Sequence, residues 1–250
     1  MIPVAGGEVW AEDTGGDGAP LVLMHPGWGD SAIWDPAIAR LATRYRVIRY
    51  DARGYGRSPA PAVPYTTIGD LTAVLDHLGV DRAALVAHSG SGGPALGLAV
   101  EQPGRVGALI LVAPGTEDYP WPAGDPYMAE FGAAFEAGDR EALVALGLRT
   151  WAAAGDDPAA QAQIRSAVTA FFSQDDLMRP EPPVYSRLGE IRAPSVLAVG
   201  DLEYPMVREC GERIAGSIPG CRLIVVPGAD HLLPLRAPDA LADIIGAHTG

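Results

Sequence analysis

The amino-acid sequence predicts an α/β fold with a mostly parallel, twisted sheet and helices on both of its faces. Short apolar runs alternate with longer helical patterns along the chain, and most of these runs are apolar at nearly every position. Strands that are buried on both faces of a parallel sheet have this composition. The alternation of strand and helix implies right-handed crossovers within one sheet.

Seven segments are candidate strands, and the first of them alternates in polarity as an edge strand does. The predicted strands span residues 7–13, 20–25, 45–51, 83–88, 108–113, 195–200 and 222–227. The helical patterns between them span about 32–43, 67–78, 91–101, 206–217 and 236–247.

The alternation stops between Gly115 and Ile191, where the sequence has helical patterns but no candidate strand. These patterns cover residues 126–138, 140–155 and 159–173. We therefore expect a core made of residues 1–115 and 191–250, with residues 116–190 inserted as a helical cap, or lid.

Composition and charge limit the class of protein. The chain has 250 residues, of which 48% are hydrophobic, enough for one sizeable core. Its formal net charge of -13 repels nucleic acids and anionic membranes. No apolar run reaches the roughly 20 residues that span a bilayer, and the N-terminus lacks the basic and apolar regions of a signal peptide. We expect a cytoplasmic monomer or homodimer that binds a small molecule, not nucleic acid or a membrane.

The two cysteines, Cys210 and Cys221, are too few for a disulfide framework, and no cysteine or histidine spacing resembles a metal site. Both are expected to pack as small buried groups. The sequence therefore predicts neither a metal nor another cofactor.

Glycine-rich and polar motifs follow several of the predicted strands. They read "HPGWGD" (25–30), "AHSGS" (87–91), "GDLE" (200–203) and "PGADH" (227–231). Open α/β sheets bind their ligands at the carboxyl ends of the strands, so these motifs are expected to form one site.

Together with "DARGYGRS" (51–58), these motifs resemble those of the α/β-hydrolase superfamily, in the same order and over nearly the whole chain. The resemblance is to capped bacterial serine hydrolases of the esterase type. It implies the α/β-hydrolase fold, a helical cap inserted after the sixth strand, and a Ser-His-acid triad. It also implies that residues 51–58 brace the sheet below the site and take no part in the chemistry.

Ser89 is the expected nucleophile. A nucleophile elbow needs small residues two positions before and after the serine, and Ala87 and Ser91 meet this need for Ser89. Ser91, flanked by Ser89 and Gly93, also fits by size. However, the apolar strand ends directly at Ser89, whereas Ser91 would lie in the first helical turn, where we expect it to pack against a neighbouring strand.

His231 is the expected base, since a serine hydroxyl needs a base that is itself oriented by a third group. It follows the last predicted strand, on a loop that can reach the elbow. His77 and His248 fall in helical patterns, while His25 and His88 lie at strand ends and are expected to orient loops.

Four residues are candidates for the acid, which fixes the histidine tautomer and stabilises its cation. The resemblance places the acid three residues beyond the glycine that ends the strand at residue 200, which is Glu203. Asp201 is close by, and some family members use the position of Glu117 or Asp118. Asp230, next to the base, is expected to be solvated.

The oxyanion hole needs two backbone N–H donors. The residue after the nucleophile, Gly90, supplies one, and the family pattern selects Gly27 for the other, since Pro26 has no N–H. Gly90 stands where many family members have a larger side chain, which leaves room beside the nucleophile. Trp28 is expected to border the pocket or to pack under the cap, and Trp121 to line the pocket.

These expectations indicate a serine hydrolase that cleaves a carboxylic ester or lactone of an apolar, medium-sized substrate through an acyl-enzyme. The same fold also serves thioesterases, carbon–carbon bond hydrolases, aminopeptidases, cofactor-free perhydrolases and non-hydrolytic receptors, cyclases and lyases. An aminopeptidase would need acidic cap residues that bind an amine, for which the candidates are Glu130, Glu136 and Glu141.

Overall fold

The computed structural model describes residues 1–173 and 177–249. Its strands are β1 (Ile2–Val4), β2 (Gly7–Val9), β3 (Ala11–Asp13), β4 (Ala19–Met24), β5 (Tyr45–Tyr50), β6 (Ala83–His88), β7 (Val106–Val112), β8 (Ser195–Gly200) and β9 (Arg222–Val226). Its α-helices are α1 (Asp35–Leu41), α2 (Thr67–His77), α3 (Gly92–Glu101), α4 (Pro126–Glu136), α5 (Arg140–Trp151), α6 (Pro158–Phe171), α7 (Pro205–Ser217), α8 (Leu233–Arg236) and α9 (Pro238–His248). None of the helices in these ranges is both long and apolar enough to cross a membrane.

A seven-stranded sheet forms the centre of the molecule, in the order β3-β5-β4-β6-β7-β8-β9. The edge strand β3 runs antiparallel to β5, and the other neighbouring strands are parallel. This topology confirms the predicted fold class, with the first predicted strand contributing to an edge of the sheet.

Helices cover both faces of this sheet, as the packing of β4 demonstrates. Leu21 and Leu23 belong to one buried apolar cluster, which also contains residues of α1 and α9. Val22 and Met24 belong to a second cluster, with residues of α2, α3 and α7. Because successive side chains of a strand point to opposite faces, the two clusters are the two packed faces of the sheet.

The N-terminal segment differs from the prediction. Residues 7–13 form two short strands: β2 pairs with β1 in a hairpin, and β3 joins the main sheet. Trp10 lies between them, and its backbone N–H donates to Ser58 Oγ at 2.8 Å instead of joining a sheet ladder. The chain can therefore change pairing partners at this residue.

Helices α4 to α6 form the segment between β7 and β8. Each begins at an aspartate whose side chain accepts a backbone N–H of the first turn: Asp125, Asp139 and Asp157. These caps satisfy N–H groups that have no partner within the helix, and they set where each helix begins. Counted along the chain, the segment follows the seventh strand and not the sixth, because the separate hairpin of β1 and β2 comes before the five main-sheet strands β3 to β7.

The inserted segment contacts two of the loops that carry the predicted site motifs. Ser166 of α6 donates to Asp30 Oδ2 at 2.6 Å, and Asp30 follows β4. The backbone N–H of Ala154, between α5 and α6, donates to Asp230 Oδ2 at 2.9 Å, and Asp230 follows β9. Helices α4 to α6 therefore lie at the carboxyl ends of the parallel strands.

Candidate active site

Ser89 lies on a strained turn between β6 and α3. Its φ angle is 56°, in the left-handed region that residues other than glycine rarely adopt. The turn also needs a glycine nearby, since a Cβ on Gly92 would lie 2.8 Å from Pro114 Cβ and 3.0 Å from the Gly115 carbonyl oxygen. Such strain persists where the surrounding structure enforces it, and it is typical of a nucleophile elbow.

Ser91, the other serine of this turn, has partners in the fold. Its hydroxyl oxygen accepts the His88 N–H at 2.8 Å, and the His88 and Met24 carbonyl oxygens lie 2.8 and 3.2 Å from it. These bonds connect the elbow to β4, the neighbouring strand. The Ser91 hydroxyl therefore stabilises the turn that presents Ser89.

Ser89, His231 and Glu203 form a continuous hydrogen-bonded line. Ser89 Oγ lies 2.9 Å from His231 Nε2, and His231 Nδ1 lies 2.9 and 3.0 Å from the two carboxylate oxygens of Glu203. The His231 and Glu203 side chains are 1% and 0% exposed. A carboxylate at Nδ1 holds the proton there, which leaves the lone pair of Nε2 directed at the serine hydroxyl.

The other candidate acids have partners elsewhere. Asp201 accepts the Gly228 N–H at 2.7 Å, and Asp118 accepts a backbone N–H at 2.8 Å. Glu117 follows β7, and burial together with the charges of two nearby carboxylates raises its pKa. Of the four candidate acids, all within the described ranges, Glu203 is the one that contacts His231.

The prediction that Asp230 is solvated is wrong. Its side chain is 1% exposed and accepts the Leu232 and Ala154 N–H groups at 2.9 Å and Arg236 Nε at 3.1 Å. A carboxylate can be buried in this way because a cation and N–H donors replace its water. Since Ala154 lies in the inserted segment, Asp230 connects that segment to the loop that carries His231.

His88 supports the same loop. It is fully buried, and its Nε2–H donates to the His231 carbonyl oxygen at 2.7 Å. Burial, and the neighbouring His231 ring, lower the pKa of His88 well below its usual 6.5, so His88 stays neutral. The other strand-end histidine, His25, accepts a backbone N–H at 2.9 Å through Nε2. His77 and His248 are the last residues of α2 and α9.

Gly27 and Gly90 lie side by side at the elbow. A methyl group on Gly90 would lie 4.0 Å from the Gly27 backbone nitrogen. Gly90 is the second residue of the short 3₁₀ helix Ser89–Ser91, too near its start for its N–H to have an acceptor within that helix. Among the described residues, the Gly27 N–H has no acceptor either. Two free donors next to Ser89 are what an oxyanion hole requires.

A cavity of about 580 Å³ opens at Ser89 between the sheet and the inserted helices. The residues that line it include Ser89, Gly27, Gly90, Trp28, Trp121, Tyr127, Met128, Trp151, Met178 and Met206. The lining is mainly apolar but also includes the side chains of Arg53, Glu117, Asp118 and Glu181. A volume of this size suits a medium-sized organic molecule.

Trp28 lies where the cavity meets the inserted helices. Its ring packs edge-on against Phe171, with 4.9 Å between ring centroids, and its Nε1–H donates to the Tyr127 hydroxyl at 2.8 Å. Trp28 therefore borders the cavity and packs under α4 and α6 at once. Trp121 also lines the cavity, and its Nε1–H donates to the Thr116 carbonyl oxygen at 3.0 Å.

Sequence reasoning did not single out Tyr127 and Trp151 as cavity residues. Both lie in amphipathic helices whose period shows that one face is buried, but not whether that face meets the core or the cavity. Trp151 packs against the His231 ring, with 4.6 Å between centroids. The sequence signal that could have indicated these two cavity residues was the high density of aromatic residues between positions 119 and 172.

The acidic residues considered for binding an amine lie elsewhere. Glu130 and Glu141 form exposed ion pairs with Arg149 and Arg165, at 2.6 and 2.8 Å, and Glu136 is exposed. The described lining of the cavity includes none of these three glutamates.

Residues 51–58 form a hydrogen-bonded loop beside the site. The Asp51 side chain accepts two backbone N–H groups at 2.9 Å, and Ser58 Oγ donates to the Asp51 carbonyl oxygen at 2.6 Å. Arg53 is 2% exposed and pairs with Asp70 at 2.7 Å. In residues 1–173 and 177–249, no three His, Cys, Asp or Glu side chains converge as metal ligands would.

Comparison with known proteins agrees with this architecture. A model of the alpha/beta hydrolase family matches residues 21–244. The solved structure of Est816, described as an N-acyl homoserine lactone degrading enzyme, has a TM-score of 0.80 and 27% identity, and the match covers 98% of either chain.

Two Caulobacter proteins named as the carbamate hydrolase RutD are also similar. The protein of Caulobacter sp. strain K31 is 26% identical over 238 residues, which cover 88% of this chain and 86% of the relative. The protein of Caulobacter segnis is 39% identical over 101 residues, which cover 38% of this chain and only 38% of the relative's own length.

Proposed function

Since the chain belongs to the alpha/beta hydrolase family, we propose that it is a serine hydrolase that cleaves a carboxylic ester or lactone. The observation that carries this proposal is the line Ser89–His231–Glu203, with separations of 2.9 Å at the serine and 2.9 and 3.0 Å at the carboxylate. A buried carboxylate, an oriented imidazole and an accessible hydroxyl are the parts that acyl transfer needs.

In the first half of the reaction, Ser89 Oγ attacks the substrate carbonyl carbon while His231 Nε2 accepts the hydroxyl proton. Glu203 stabilises the imidazolium that forms. The carbonyl oxygen becomes negatively charged and binds to the N–H groups of Gly27 and Gly90. The tetrahedral intermediate then collapses, His231 protonates the departing alcohol oxygen, and the acyl group remains on Ser89.

In the second half, a water molecule replaces the alcohol. His231 accepts a proton from this water as the oxygen attacks the acyl carbon, and then returns the proton to Ser89 Oγ. The products are a carboxylic acid and an alcohol, which remain one molecule when the substrate is a lactone.

The cavity supports an apolar, medium-sized substrate. Its volume of about 580 Å³ exceeds that of a short acyl chain, and most of its lining is aromatic, aliphatic or methionine side chains. The lactone-degrading description of Est816 favours a cyclic ester among the candidates. The RutD name makes a carbamate the next carbonyl class to test.

We also propose that residues 116–190 act as a cap that shields the acyl-enzyme from bulk water. The contacts of this segment with Asp30 and Asp230 support this role, since they connect it to the loops of Gly27 and His231. With a net charge of -13, the protein is proposed to act on a dissolved small molecule in the cytoplasm, as a monomer or homodimer, and to bind neither nucleic acid nor membrane.

Turnover of a substrate panel tests the proposal. The panel contains p-nitrophenyl acetate, hexanoate and decanoate, γ-caprolactone and p-nitrophenyl dimethylcarbamate. We expect hexanoate or the lactone to give the highest kcat/KM in wild type and no turnover above background with Ser89→Ala. Equal turnover by Ser89→Ala and wild type would contradict the proposal. If the carbamate is preferred over all of the esters and the lactone, the proposed substrate class changes to carbamates, and Ser89 remains the proposed nucleophile.

A further inference from the structure

We propose that the Tyr127 hydroxyl donates a hydrogen bond to the substrate and selects substrates that carry an oxygen acceptor a few bonds from the scissile carbonyl. This inference rests on the proposed hydrolase function of Ser89 and adds the residue that sets substrate preference in the same cavity.

The direction of one hydrogen bond leaves the Tyr127 proton free. Trp28 Nε1 lies 2.8 Å from the Tyr127 hydroxyl oxygen. An indole nitrogen can only donate, so the phenol oxygen is the acceptor in this bond. The hydroxyl hydrogen therefore needs an acceptor of its own, and the residues that the structure describes provide none.

The hydroxyl is held in place on a cavity wall. Tyr127 lies in the first turn of α4, where its backbone N–H donates to the capping carboxylate of Asp125 at 2.8 Å. Its ring packs against Trp151 and Phe131, at centroid distances of 5.1 and 6.1 Å. With its ring packed and its oxygen bonded to Trp28, the phenol has a defined orientation before substrate binds.

The position of the ring relates the hydroxyl to the reacting atoms. The Trp151 ring packs against both the Tyr127 ring and the His231 ring, at centroid distances of 5.1 and 4.6 Å. Tyr127 and Ser89 also line the same cavity. Because the two rings share this neighbour and the cavity, we infer that the phenol lies within a few bonds of the carbonyl carbon of a substrate bound to Ser89.

The surroundings make this donor selective. Burial raises the pKa of Tyr127, so the phenol keeps its proton over the pH range in which a neutral histidine acts as a base. A substrate with a methylene at this point displaces water from the hydroxyl without replacing the hydrogen bond. An ether or carbonyl oxygen at the same point replaces it, and the expected gain is roughly 3- to 10-fold in kcat/KM.

An oxygen scan of one ester series tests the inference. The probes are p-nitrophenyl hexanoate and the three analogues in which an ether oxygen replaces carbon 3, 4 or 5 of the acyl chain. The proteins are wild type, Tyr127→Phe and Tyr185→Phe. Tyr185 is the control because the described lining of the cavity does not include it. The rate of labelling by a fluorophosphonate is measured for each protein and reports the nucleophile alone.

We expect wild type to prefer one ether analogue over the others after correction for the intrinsic reactivity of each ester. Tyr127→Phe is expected to lose roughly 3- to 10-fold on that analogue and less than about 2-fold on hexanoate and on labelling. Tyr185→Phe should keep the wild-type preference.

A loss in Tyr127→Phe that is shared equally by all four esters would mean that the hydroxyl only holds Trp28. An unchanged preference in Tyr127→Phe would mean that the hydroxyl does not touch substrate. Either result overturns the inference about Tyr127. Labelling at the wild-type rate in the same variant would show that the proposed hydrolase function of Ser89 still stands. Absence of labelling and turnover in wild type would instead overturn the hydrolase function on which the inference rests.

Discussion

Glu203 presents both carboxylate oxygens to His231, with Oε2 at 2.9 Å and Oε1 at 3.0 Å from Nδ1. Oε1 also accepts the Tyr204 N–H at 2.8 Å, which fixes the carboxylate at the start of α7. Tyr204 begins the turn into a helix with proline at its first position, so the backbone around the acid is constrained. The longer glutamate side chain thus reaches His231 from a constrained backbone.

We expect Glu203→Gln to lower kcat by a factor on the order of 10⁴, because an amide favours the wrong tautomer of the base and does not stabilise its cation. Hydrolysis of p-nitrophenyl hexanoate measures the effect. The matched control is Asp201→Asn, which removes the neighbouring candidate acid and should stay within about 2-fold of wild type. The assignment fails if the losses are reversed.

The buried Asp230 is predicted to stabilise the fold. Asp230→Ala leaves Arg236 Nε and two backbone N–H groups without their acceptor, while Arg236 keeps Asp157 and the Gly155 carbonyl oxygen. Removing one partner of a buried pair of this kind costs about 3–5 kcal/mol in the free energy of unfolding. Urea unfolding monitored by tryptophan fluorescence measures it. Arg165→Ala, which breaks an exposed ion pair, should cost no more than about 1 kcal/mol. Equal losses of unfolding free energy in the two variants would show that the buried Asp230 network stabilises the fold no more than an exposed ion pair does.

Gly90 is predicted to control the length of acyl chain that the cavity accepts. A methyl group there meets no atom closer than 4.0 Å, so a leucine fits the backbone but its side chain occupies space beside Ser89. We expect Gly90→Leu to reduce kcat/KM for p-nitrophenyl decanoate at least about 10-fold more than for the acetate. Gly216→Leu is the control, since that glycine also has no close neighbours but lies in α7. An unchanged ratio of the two esters would show that the acyl chain does not pass Gly90.

The neutral, buried His88 makes stability depend on pH. Its pKa is lowered by burial in the folded state, so the unfolded chain binds one more proton once the pH falls below about 6.5. The contribution of His88 is therefore fully present above pH 6.5 and decreases towards acid, by up to about 1.4 kcal/mol per pH unit.

Urea unfolding at pH 7.5, 6.0 and 5.0 measures this dependence. In His88→Gln, which can still donate to the His231 carbonyl oxygen, the decrease in the free energy of unfolding from pH 7.5 to 5.0 should be smaller than in wild type. His248→Gln, at the C-terminal end of α9, should keep the wild-type dependence. A steeper dependence in His88→Gln would contradict the account.

Local patterns in the sequence predicted most of the fold. The strands that the sheet buries on both faces, such as Ala83–His88 and Ser195–Gly200, are continuous apolar runs, and their ends agree with the prediction. The break at Trp10 was missed because it depends on a hydrogen bond to Ser58, 48 residues away. No local pattern records a contact of that kind.

In the site, too, features with a local sequence pattern were predicted, and features that depend on contacts distant in sequence were not. Ser89, His231 and Glu203 each follow a predicted strand, and the parallel sheet brings such ends together whatever their separation in sequence. Asp230 was misjudged because one of its partners, Ala154, is 76 residues away in the inserted segment. The role proposed for Tyr127 depends on its contact with Trp28, across 99 residues, so only the folded chain could indicate it.

Intact-mass analysis after exposure to a fluorophosphonate tests the central claim, that Ser89 is an activated nucleophile, most directly. The proteins are wild type, Ser89→Ala and Ser91→Ala. The two serines share one turn, but of these two only Ser89 has a hydrogen bond with His231. We predict one adduct on wild type and on Ser91→Ala, and none on Ser89→Ala. An adduct that persists on Ser89→Ala, or none on folded wild type, would contradict the account.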